Sequence, residues 1–101
     1  MGMMENKIYI SGKITGLKYC DPFIRFRSAE KEWLKAGYEV VNPMVLDHDH
    51  DKKWASYMRV CIKALMDCTH IYLMNNWQDS NGAIIEKNLA DELGIICIFE
   101  K

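Results

Sequence analysis

Four short apolar runs constrain this chain more than anything else in it: KIYI (Lys7 to Ile10), YEVV (Tyr38 to Val41), HIYLM (His70 to Met74) and IICIF (Ile95 to Phe99). Each is too short for a helix and rich in β-branched or aromatic residues, which marks it as a strand. Between them the hydrophobic period changes to that of a helix. After Asp21, a fitting N-cap, and Pro22, a fitting first helical residue, Phe26, Ala29, Trp33 and Ala36 form a stripe that Gly37 is placed to end. Trp54, Met58, Cys61, Leu65 and Cys68 form a second stripe, and the segment from Ser80 to Gly94 carries a third. Strands that are apolar throughout and alternate with amphipathic helices must be covered on both faces, so the chain implies a parallel sheet between helical layers. The expected fold is a single, small, three-layer α/β domain over residues 1–101, flavodoxin-like or Rossmann-like, with four parallel strands in the order 2-1-3-4.

Composition agrees with one domain and narrows the partners. With 101 residues, 50% of them hydrophobic, a core forms without a metal or disulfide staple. Thirteen basic against fourteen acidic residues give a net charge of −1, and no basic block interleaved with aromatics is present. That argues against a nucleic-acid polymer as partner. The four cysteines form no C-x-x-C pair and lie in or near apolar segments, as thiols of a reducing cytoplasm do. No apolar run approaches the roughly 18 residues of a membrane span, and the start of the chain has no signal-peptide core. The chain is expected to be cytoplasmic, without a membrane partner.

In open parallel sheets, ligands bind beyond the carboxyl ends of the strands. Those ends are SGKITG, NPMVLDHDHD and NNWQDSNG, which should converge on one edge. The helix leaving the third places Glu86 near the middle of a face shared by Ala83, Ile85, Leu89, Ala90 and Leu93, where a leucine would be expected. A carboxylate there is either tucked against one neighbour at a helix start or kept partly desolvated as a nucleophile or base, with Gly82 and Ala83 leaving room for a ligand. SGKITG matches no nucleotide-loop pattern. It is a strand-ending turn or, through the backbone of Gly12 and Gly16 and the ammonium of Lys13, a cradle for a sugar or a phosphate. Trp77 caps the core or stacks on a base. The stretch from Asp47 to Asp51, with His48 and His50, lacks a spacing that would organise a metal, and is expected to be a polar flap over the crevice. No metal and no cofactor are expected.

YISGKITG, AGYEVVNP, YMR, LMDCTHIYLMNNW and DSNGAIIEKNLADELGI together resemble the DUF4406 family and, through it, the nucleoside 2-deoxyribosyltransferase-like superfamily. The most specific part is S-x-G-x-x-x-E, here Ser80, Gly82 and Glu86. The resemblance implies that Glu86 attacks the anomeric carbon of a deoxyribosyl group, in an N-glycosidase or deoxyribosyltransferase acting on a nucleoside or its 5′-monophosphate. It further implies that Tyr9, Gly12, Lys13, Trp77, Ser80 and Gly82 hold the sugar, phosphate and base, and that the protein is a homo-oligomer. Ser80 stands where the transferases tend to have aspartate and the monophosphate hydrolases have a phosphate-binding serine. Cys61 stands where the superfamily commonly has aspartate, and the chain stops at Lys101, where characterised members continue. Those two departures favour the alternative, a non-catalytic module that binds a nucleotide or related metabolite in the same crevice.

Overall fold

The computed structural model describes residues 6–14, 20–48 and 53–101. The elements run β1 (Lys7–Ser11), α1 (Cys20–Lys35), β2 (Glu39–Val41), α2 (Trp54–Met66), β3 (His70–Leu73), α3 (Asn81–Leu93) and β4 (Ile96–Phe99), with short 3-10 turns at Pro43–Val45 and Trp77–Asp79. All strands are parallel, in the order β2-β1-β3-β4, so the fold is the expected small α/β domain.

Strand alternation divides the core in two. Ile8 and Ile10 point to one face, where they pack with Tyr72, Met74 and with Phe26 and Ala29 of α1. Tyr9 points to the other, with Ile71, Leu73, Cys61 and Leu65 of α2 and Ala90 of α3. One helix therefore covers one face and two cover the other. β1 is central, and residues Ile8 to Ser11 of it and Gly12 just beyond are all buried, so whatever it presents at its carboxyl end is held on a rigid support.

Three details differ from the pattern in the sequence. α1 begins at Cys20, ahead of the expected Asp21 cap, and Ala36 is exposed because the helix has already ended at Lys35, with Gly37 in the left-handed region at φ 92°. Among the described residues β4 is an edge strand with no neighbour on its far side, and Ile96 and Phe99 are exposed rather than enclosed. In α3 the buried residues are Ala83, Glu86 and Ala90, while Ile85 and Leu93 face outward. The small alanines let the helix approach the sheet closely, and rotation toward them turns the larger aliphatics away. The described cysteines Cys61, Cys68 and Cys97 are free thiols, and among the described residues no helix is long and apolar enough to cross a membrane.

Candidate functional site

Two local periodicities bring the site together. Tyr9 and Ser11, two apart on β1, share the face toward α2 and α3. Ser80 caps α3, its Oγ accepting the Ala83 N–H at 3.2 Å, which fixes where the helix starts. Glu86, in the second turn, then meets β1 across the layer. The Tyr9 hydroxyl donates to Glu86 Oε2 at 2.6 Å and the Ser11 hydroxyl donates to Oε1 at 2.7 Å.

Glu86 is only 5% exposed. Burial pushes its carboxyl up from 4.5 to about 7, against the two hydroxyl hydrogen bonds, which favour the ionised form. The same burial, and the carboxylate beside it, hold Tyr9 well above the ordinary phenol range, so Tyr9 remains an O–H donor at any physiological pH. Cys61 lies behind this pair. Its thiol is pushed up to about 11, chiefly by burial, and stays protonated. Tyr57 adjoins Cys61 and is likewise raised by burial, although its hydroxyl oxygen is buried without a partner in hydrogen-bond geometry among the described residues.

Above the carboxylate opens a cleft of ≈ 290 Å³, at the carboxyl edge of the sheet. That is near the lower end of the roughly 300–1,000 Å³ of small-molecule sites, enough for one small ligand. Tyr9, Gly12, Ser80, Gly82 and Glu86 all line it, as do Ser11, Trp54, Tyr57, Met58 and Asp79. Gly82 is small for a reason, since a Cβ there would sit 3.0 Å from Met58 Sδ. At Gly12 a Cβ would sit 2.5 Å from Met74 Cε, the movable end of that side chain, 3.1 Å from Met74 Cβ and 3.2 Å from Asn76 Oδ1, so a side chain there forces its neighbours to shift.

Lys13 and Trp77 are not among the residues lining the cleft. The Lys13 backbone N–H donates to Asn76 Oδ1 at 3.1 Å, which ties the first loop to the third. Trp77 packs on the core, its ring centroid 6.0 Å from that of Phe99 and 5.9 Å from Lys87 Nζ. The third loop is fastened further where the Asn75 N–H and the Arg25 guanidinium both donate to Glu100 Oε1. His48 has its Nε2 3.0 Å from the Pro43 carbonyl oxygen, so Nε2 carries the proton, and its ring stacks on Tyr57 with centroids 4.3 Å apart. Gly16 and the rest of the expected flap, Asp49 to Asp51, lie outside the described residues. Among the described residues no group of three or more His, Cys, Asp or Glu side chains is arranged to hold a metal ion.

Ser11 is the site residue that the sequence does not single out. Its signal was available in the period of two from Tyr9, hidden because the turn-like string SGKITG masks the end of the strand. Tyr57 and Trp54 carry no signal in the sequence beyond the YMR string and the apolar stripe to which they belong.

Fold and site define a small parallel α/β domain whose central strand and last helix clamp one buried carboxylate at the floor of a ligand-sized cleft. A family model described as a domain of unknown function (DUF4406) matches residues 6–99, and the chain belongs to that family. No curated protein matches the chain.

Proposed function

We propose that this protein is an N-glycosidase or deoxyribosyltransferase of the nucleoside 2-deoxyribosyltransferase-like kind, acting on a deoxynucleoside or its 5′-monophosphate with Glu86 as nucleophile. The observation that carries the reading is the state of Glu86: nearly enclosed, poised to ionise at about 7, fixed by two hydroxyls, and facing a cleft. Each carboxylate oxygen has a second lone pair, so the bonds from Tyr9 and Ser11 orient the group without consuming it. A Glu86 oxygen forms a bond to C1′ as the C1′–N bond breaks, and the base leaves with that electron pair and takes up a proton. Water, or the nitrogen of a second base, then attacks C1′ and restores the carboxylate. Splitting one displacement into two is the logic of a retaining glycosidase.

A second reading, a binding module without turnover, is favoured by Cys61, which presents a protonated thiol next to Tyr9 and Glu86 where a further carboxylate would assist the sugar. Incubation with deoxynucleosides and their 5′-monophosphates, followed by chromatography for free base and by thermal shift, separates the two. Base release by the wild type and not by Glu86→Gln supports catalysis. Stabilisation with the ligand left intact supports binding alone, release that persists in Glu86→Gln removes Glu86 from the mechanism, and neither shift nor release sinks both readings.

A further inference from the structure

The three tryptophans occupy different situations. Trp33 is held edge-on between Tyr38 and Tyr72, at centroid distances of 4.9 and 5.3 Å. Trp77 is engaged by Phe99 and Lys87 on the flank of the core. Trp54 lines the cleft, is 53% exposed, and its ring contacts no other aromatic ring or cation among the described residues. A large aromatic left half in water at the first residue of a helix forgoes about half of the burial such a ring can gain.

Its place in the helix is informative. Trp54, Met58 and Cys61 follow one another along the same side of α2 at spacings of four and three. Cys61 lies at the level of Tyr9 and Glu86, and Met58 packs beside Gly82, one turn of α3 before Glu86. Trp54 is one turn further out, about 10 Å along the axis from Cys61 at the helical rise. A ligand that reaches both Glu86 and Trp54 therefore spans the cleft, as a sugar carrying a planar ring does and a lone sugar does not.

We infer that Trp54 is the stacking wall of the cleft, receiving the planar heteroaromatic base of the ligand while Glu86, Tyr9 and Ser11 face its sugar. This rests on the nucleoside reading above and adds the base-binding residue, in place of Trp77. Stacking on an indole face discriminates weakly between bases, because every base has a π face. Trp54 thus sets a requirement for a flat aromatic group, and any finer choice of base falls to other contacts.

The test uses the full chain with deoxyadenosine, deoxyguanosine and deoxycytidine as probes and 2-deoxyribose as the base-free control. Tryptophan emission, excited at the red edge to avoid base absorption, is read alongside calorimetric affinity. The expected result is quenching by the nucleosides and not by deoxyribose, loss of that quenching in Trp54→Phe, and at least about a five-fold weaker affinity in Trp54→Ala, the lower end of what one lost base stack costs. Nucleosides that bind with unchanged emission, or with equal affinity to wild type and Trp54→Ala, overturn the assignment and leave the glycosidase reading standing. Quenching with no base ever released has the opposite effect. If neither these nucleosides nor their 5′-monophosphates bind at millimolar concentration, both fall.

Discussion

Replacing Glu86 by glutamine measures what it costs to hold a carboxylate in the floor of the cleft. The amide fits the same contacts: its oxygen takes the Tyr9 hydrogen bond at the place of Oε2, and its NH₂ takes the place of Oε1, where the Ser11 hydroxyl turns from donor to acceptor. What changes is the charge. The carboxyl ionises at 4.5 in the unfolded chain and at about 7 in the fold, so the folded state holds the proton more tightly. The stabilisation from that tighter proton is fully present below about pH 4.5 and declines as pH rises, because the unfolded state loses its proton first. Above about pH 7 both states are ionised and the loss is complete. At roughly 1.4 kcal/mol per tenfold in proton affinity, the loss is about 3 kcal/mol. Glutamine has no such slope. Glu86→Gln should match the wild type near pH 4.5 and exceed it by about 3 kcal/mol near pH 8, roughly 10–20 °C in Tm for a domain of this size. Urea or thermal denaturation of both proteins at several pH values between these limits reads the difference directly. A difference that stays flat with pH, or a glutamine variant less stable than the wild type at pH 8, would show that the carboxylate is well compensated where it sits and refute the reasoning.

Tyr9→Phe removes a charge-assisted donor and should cost about 1.5–3 kcal/mol at pH 8, with less lost near pH 5 where Glu86 is protonated; equal losses at both would disprove the coupling. Because an attacking Glu86 must be ionised, base release should climb with pH and level off above about 7, and Tyr9→Phe should push that limb to higher pH, which a pH–rate profile checks. Gly12→Ala, which drives a methyl against Met74 and Asn76, should destabilise by about 1–3 kcal/mol in denaturant titration, an unchanged midpoint being the adverse result. Gly94, the left-handed end of α3 at φ 74° with open space around it, should tolerate asparagine better than alanine, which should cost about 1 kcal/mol through backbone strain alone.

The sequence by itself determined the element order and the covered parallel sheet. Four apolar runs of strand length and three helical stripes leave little besides a covered parallel sheet, and both signals depend only on periodicity and on the need to bury apolar surface. It also singled out Glu86, because a charge in the middle of an apolar stripe conflicts with that same requirement. The partners of Glu86 were decided only by the tertiary structure. Tyr9 and Ser11 lie more than seventy residues away along the chain, at separations of 77 and 75, and whether they meet Glu86 depends on how α3 rotates on the sheet. That rotation is set by Ala83 and Ala90, which permit close approach, and a one-dimensional pattern that rewards large apolar residues points instead to Ile85 and Leu93. The tryptophans follow the same rule. Sequence gives each the same affinity for burial, but only packing tells which finds a partner: Trp33 and Trp77 do, and Trp54 is left beside the cleft because no element of the fold reaches over it among the described residues.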